Sequence, residues 1–254
     1  MFIATLSTEF IKLRRSKMLL LAMLASVVPP MIKFMQYAFG NNGDAARWER
    51  FLSTGQEIGV FCMLTAVILV SCFIFTMEYQ YRTASYIFTS GSSKTNIFIA
   101  KLLALLAITA LLLIVSAFSQ LLFGYLTIRT GLDWAFFLKF MKVTVWYVLA
   151  YFLLSAVVAM VAVLLKRFVL SAVVNFGYFM LVFPFHLKND PYINPFMSPT
   201  VVAAKLYDAK DYIFTGYYKG IPVNIPGISV FLLSLAIVSL AVAIVCYKRM
   251  DAIK

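Results

Sequence analysis

One histidine, three cysteines and ten acidic residues occur among 254, and only 13% of the chain is charged, against roughly a quarter of an average soluble domain. Each shortage removes a class of chemistry. His186 has no second histidine to share a metal, which excludes the sites of intramembrane metalloproteases and membrane phosphatases. Cys62, Cys72 and Cys246 all fall in apolar runs without metal-ligand spacing, so they read as small buried apolar side chains. No GxxxxGKS or GxxxxGKT phosphate loop, HExxH, GxSxG or CxxC is present. The sequence shows no periodic arginine series for voltage sensing, and no two carboxylates within its apolar runs to suggest a proton relay. The chain therefore reads as no enzyme and as holding no metal or cofactor of its own, and any work it does draws on another polypeptide.

What the chain has in abundance is apolar length. It is 63% hydrophobic with a mean hydropathy of +0.93. A helix rises about 1.5 Å per residue through a hydrocarbon core of about 30 Å, so a span needs about 20 mostly apolar residues. Six segments meet that need: 18–38, 59–77, 102–123, 143–165, 168–185 and 228–247. Alternating ten-residue strands are absent, and continuous apolar runs satisfy their backbone groups in lipid only as helices. The expected fold is an all-α integral membrane protein, residues 1–254 forming one transmembrane domain of six spans.

The net charge of +12 does not point to nucleic acid, because the 22 basic residues are scattered over every loop. Topology accounts for them. With both ends in the cytoplasm, twelve lie on the four shorter inner segments and nine on the longer outer ones, the bias expected of a plasma-membrane protein. The first span is too long for the apolar part of a signal peptide and lacks a small-x-small cleavage site, so it is kept as a span.

Residues 1–17 carry Phe2, Ile3, Leu6, Phe10 and Leu13 at helical spacing with a basic finish, which predicts an amphipathic helix in the membrane interface. Pro29 and Pro30 remove two backbone donors from the first span and predict a kink or a break. Lys33 near its outer end and Asn175 near mid-bilayer are, with these prolines, the candidate pathway residues. Their plainer roles are snorkelling for Lys33 and a hydrogen bond to a neighbouring helix for Asn175. Residues 39–56 read as an outer loop. Trp134, Phe136, Phe137 and Phe140 read as an interfacial belt, with Trp146, Tyr147 and Tyr151 as further anchors. Lys166 and Arg167 alone separate the fourth and fifth spans, which predicts a tight hairpin. The long outer stretch 186–227 contains Ser198–Pro199, a start signal for a short amphipathic helix, and a second turn-rich piece at 221–227. Both suggest short helices on or in the outer leaflet.

Between the second and third spans lies a polar island, EYQYRTASYIFTSGSSKTNIFIAK, residues 78–101. Glu78 and Arg82 stand four apart and are placed to pair along a helix. Tyr79, Tyr81, Tyr86 and Phe88 supply aromatic surface, and Thr83 and Lys94 complete its polar markers. A tethered element of this kind can transmit a rigid-body push from a partner.

The basic start TEFIKLRRSK, a span, a second span ending in Glu78–Tyr79, the pattern EYxxxT, and a small-residue turn followed by Lys94 and Lys101 together resemble the permeases of ABC type-2 exporters. Family members carry an E-x-x-x-G-T-like step and a Pro-x-Ser-Arg-like turn, where this chain has Arg82–Thr83 and Ser92–Ser93–Lys94. The resemblance implies six spans, both termini cytoplasmic, a bacterial plasma-membrane location and a coupling helix at residues 79–88. The resemblance further implies that this helix docks on a separate ABC ATPase subunit, which holds the ATP and Mg. It implies a second permease chain, identical or related, alongside membrane lipid. Permeases of this size that resemble the chain often remove bacteriocins, bacitracin-like antibiotics or amphipathic toxin peptides, and the 24 Phe, 12 Met and 14 Tyr suit amphipathic cargo. The alternatives are a non-transporting scaffold or sensor subunit, and a stand-alone pore or secondary carrier, for which Asn175, Gln120, Ser116 and Ser155 are the available mid-membrane polar groups.

Overall fold

A computed structural model describes residues 2–14, 16–39, 48–81, 83, 93–128, 131–186, 194–207 and 224–249. Within them are eight helices: α1 Phe2–Arg14, α2 Lys17–Phe39, α3 Trp48–Gln80, α4 Lys94–Thr127, α5 Trp134–Leu165, α6 Phe168–His186, α7 Ser198–Tyr207 and α8 Ile225–Arg249. No strand occurs among the described residues. Five helices, α2, α3, α4, α5 and α8, are long and apolar enough to cross a membrane, while α6 has a shorter apolar stretch at Phe168–Leu181.

Helix α3 forms the centre, packed against α2, α4, α5 and α6. Helix α8 lies chiefly along α5, and α1 folds back onto α4. Small residues let these helices approach closely. Gly59 on α3 faces Pro29 of α2, and Gly124 on α4 receives the indole of Trp48 so tightly that an added Cβ would collide with it. The outward faces of α2, α4, α6 and α8 carry the exposed Leu, Ile, Val and Phe side chains, as a lipid-facing surface requires.

Several elements are longer than the apolar runs that announce them. Helix α3 starts at Trp48, so residues 48–56 are not loop but a buried first part of the helix, with Phe51, Leu52, Ser53 and Gln56 all inside. Helix α5 starts at Trp134 on an Asp133 cap, whose carboxylate accepts from the Ala135 N–H at 3.3 Å. Helix α2 runs unbroken through Pro29 and Pro30, both buried. Within it the Ser26 hydroxyl donates to the Met23 carbonyl at 2.6 Å.

The aromatic residues expected as outer anchors divide into two groups. Trp134 is exposed and stacks on Phe137 at 5.2 Å between centroids. Phe136, Phe140, Tyr147 and Tyr151 turn inward and are buried, because α5 lies between α8, α3, α4 and α7 rather than at the lipid boundary alone. Helix α7 is likewise buried over nearly its whole length. Its start is organised by Asn194, whose carbonyl accepts from the N–H groups of Met197 and Ser198, while Phe196 N–H donates to the Asn194 side chain at 3.1 Å. The Trp146 indole N–H donates to the Pro199 carbonyl at 3.1 Å and ties α7 to α5. Asn224 likewise caps α8, accepting from Gly227 N–H.

Candidate functional site

Where α1, the last turn of α3, the first turns of α4 and the end of α8 meet, four charged side chains are drawn together. Glu9 and Lys12 are one helical turn apart on α1, with Lys12 Nζ 2.6 Å from Glu9 Oε1 and 3.3 Å from Glu78 Oε1. Lys101, from α4, has no exposed surface and lies 3.0 Å from Glu78 Oε1 and 3.8 Å from Glu9 Oε2. Its ammonium also donates to the Ile74 carbonyl of α3 at 2.8 Å. The Tyr247 hydroxyl of α8 donates to the other oxygen of Glu78 at 3.3 Å.

Two carboxylates and two ammoniums make a cluster of zero net charge. Neutrality lets it be buried: an isolated ion in this environment costs several kcal/mol, whereas a paired and hydrogen-bonded set largely offsets that cost. Burial alone would lower the pKa of Lys12, but the Glu9 and Glu78 carboxylates outweigh it and hold the ammonium above its ordinary value. Glu9 Oε2 makes no hydrogen bond, although Lys101 stands within ion-pair distance. Phe98 packs its ring against those of Phe75 and Tyr247 beside the cluster, tilted by 49° and 53° with centroids 5.3 and 5.5 Å apart.

Two further contacts gather the remaining ends at the same pole. Lys166 takes a left-handed backbone conformation (φ 55°) that stops α5 and turns the chain into α6. Its ammonium lies 6.0 Å from the centre of the Tyr79 ring. Lys94, at the start of α4, donates to the Lys248 carbonyl of α8 at 3.1 Å. Ser93 caps α4 by accepting from the Asn96 N–H at 3.2 Å.

The opposite pole holds a neutral polar chain. The Tyr207 hydroxyl donates to Gln56 Oε1 at 2.5 Å, Gln56 Nε2 donates to Thr144 Oγ1 at 3.1 Å, and that hydroxyl donates to the Phe140 carbonyl at 2.9 Å. Beside it a cavity of about 20 Å³ is bounded by Gln56, Ser116, Gln120, Thr144 and Tyr151 among others. Gln120 Oε1 and the Tyr151 hydroxyl have no hydrogen-bond partner among the described residues. A space of this size holds about one water, which such polar walls would bind. It is far too small for a solute passage.

The residues singled out in the sequence fall as follows. Glu78 lies in the last turn of α3, buried in the ion cluster, and Tyr79, expected to open a separate coupling helix, lies in the same turn and is partly buried. Tyr81 and Thr83 lie just past the helix end, exposed, and the Thr83 N–H donates to the Glu78 carbonyl at 2.9 Å. Arg82, Tyr86 and Phe88 lie outside the described residues. Among the described residues the Glu78 carboxylate has Lys12, Lys101 and Tyr247 as its partners. Lys33 is half-buried, within electrostatic reach of Glu57 and Arg50. Asn175 is buried, and its amide donates to the Ser171 carbonyl of its own helix at 2.8 Å, not to a neighbouring helix. Asn175, Lys33, Pro29 and Pro30 do not line the polar cavity.

Sequence reasoning missed Glu9, Lys12, Lys101 and Tyr247 as members of one site. The available signal was weak: a carboxylate on a basic leader and a lysine at the threshold of an apolar run. A profile of the family described as ABC-2 family transporter protein matches residues 5–182, which takes in the stretch from α1 to most of α6. No curated protein matches the chain.

Proposed function

We propose, from the premise that this chain belongs to the ABC-2 transporter family, that it is the permease of an ATP-driven exporter for hydrophobic or amphipathic peptide-like cargo. The permease role itself follows from the family and from the five membrane-length helices. An ABC ATPase is the partner that the family implies. ATP and its Mg belong to that subunit, and a second permease chain completes the pathway. In this reading α6 is the fifth of six spans, the α1 pole faces the cytoplasm of a bacterial cell on the strength of the basic bias of the inner segments, and the segment after Tyr81 carries the docking surface for the ATPase.

One observation supports this reading most directly. The helix ends that flank residues 82–92 are tied by buried charge to α1 and α8 and, through Tyr79, approach the turn between α5 and α6. A force that reaches those two helix ends is therefore passed on to most of the bundle through direct contacts. The narrow polar cavity argues against a pore within one chain, and favours a cargo path between two chains or along the lipid-facing surface.

The test is purification in nanodiscs from the native cell, identification of stoichiometric partners, and ATPase assays with and without candidate peptides. The reading expects a co-purifying subunit with a phosphate-binding loop. Arg82→Glu or Tyr86→Ala should then uncouple hydrolysis from peptide export while leaving thermal unfolding unchanged. A chain that purifies alone and exchanges solute by itself would overturn it, as would undiminished export in both variants.

A further inference from the structure

Two neighbouring clefts near the α1 pole, one with charged walls and one apolar, share Met18 and together offer an amphipathic recess. The wider, about 590 Å³, is polar on one side, with Lys12, Ser16, Lys17, Glu78, Tyr81 and Thr83 at its wall. The second, about 300 Å³, is a groove between α2 and α3 lined by Leu21, Ala22, Ala25, Cys62, Thr65 and Leu69. Met18 borders both. The one hydroxyl in this set, that of Thr65, donates to the Phe61 carbonyl at 2.7 Å, so the groove offers a guest no unpaired hydroxyl at that position.

Charge and length specify what fits. Glu78 is matched by Lys101 and Glu9 by Lys12, whereas Lys17 forms no ion pair among the described residues and faces the wide cleft. The polar part therefore has a cation to spare. From Phe61 to Val70 the α3 wall rises through nine residues, about 14 Å, close to one leaflet's half of a hydrocarbon core of about 30 Å.

We infer that this recess holds one anionic phospholipid of the leaflet at the α1 pole, its phosphate at Lys17 and one acyl chain in the α2–α3 groove. Basic pockets at the ends of spans select such headgroups by charge, and the apolar groove holds the chain by excluding it from other lipids. The inference rests on membrane embedding and not on the cargo, so loss of the ATPase partnership would leave it standing.

The experiment reconstitutes the full chain with phosphatidylglycerol and phosphatidylcholine in equal amounts and measures lipid retained after detergent extraction by native mass spectrometry. Wild type should retain phosphatidylglycerol preferentially. Lys17→Gln should cut that preference about fivefold, the factor expected of one lysine near an anionic surface. Ala25→Phe, which fills the groove, should lower retention of both lipids while keeping the preference. Equal retention of the two lipids by wild type, or an unchanged preference in Lys17→Gln, would overturn the inference. So would efficient disulfide formation between two copies through Cys62 in the bilayer, because a second chain would then occupy the groove.

Discussion

Lys101→Met offers the sharpest test of the buried charge cluster. Methionine has nearly the same volume and apolar stem, so packing changes little. What changes is the sum of charges: Glu9 and Glu78 remain with Lys12 alone, and the Ile74 carbonyl loses its added donor. Leaving a buried pair one partner short costs about 3–5 kcal/mol. Proton uptake sets an independent ceiling of similar size, because holding an ordinary glutamate protonated at pH 7 costs about 4 kcal/mol, and at pH 5 only about 1 kcal/mol. At roughly 2–4 °C per kcal/mol for a chain of this length, thermal unfolding followed by tryptophan fluorescence should fall by about 8–16 °C at pH 7. The deficit should shrink to about 2–4 °C at pH 5. The sign follows from linkage: the folded variant binds a proton that the unfolded chain does not, so its relative stability rises as pH falls. Glu78→Gln added to Lys101→Met restores neutrality and should recover most of the loss. A deficit equal at both pH values would refute the reasoning and assign the effect to packing, and so would a double variant no better than the single one.

Two further outcomes follow from the opposite pole. Gly124→Ala places a methyl group against the Trp48 ring and should destabilise by about 1–3 kcal/mol; Trp48→Phe in the same chain should relieve part of it, and thermal unfolding of the two variants decides the matter. Tyr207→Phe leaves Gln56 Oε1 buried without its donor and should cost about 1–3 kcal/mol, with the loss largely abolished when Gln56→Leu is added.

The apolar runs were enough to find every long helix, because lipid demands continuous apolar length and the demand is written locally. Their ends were harder to place. Residues 48–56 look like loop by composition, yet Ser53 and Gln56 are buried in helix, as is the neighbouring Glu57, and partners distant in sequence, Thr144 and Tyr207, make the polarity of Gln56 tolerable. The same holds at the candidate site. Glu78 was legible as the end of an apolar run, but its partners lie 66, 23 and 169 positions away at Lys12, Lys101 and Tyr247, and no local spacing rule reports such pairs. Asn175 failed differently: a mid-helix asparagine has a carbonyl one turn back within reach, and Ser171 accepted its amide. Tyr147 and Tyr151 have the composition of interfacial anchors, and only the position of α5 within the bundle decides that they face inward.

The neutral cluster also limits how this sequence can change over generations. Any single replacement that changes the charge at Glu9, Glu78 or Lys101 passes through a state with one uncompensated buried ion, so such drift has to proceed in charge-balanced pairs. Lys12 is the exception, since about a third of its side chain reaches solvent and its loss can be answered by a cation entering from the surface. Variation among descendants of this chain should therefore begin at residue 12 and reach residues 9, 78 and 101 only in company.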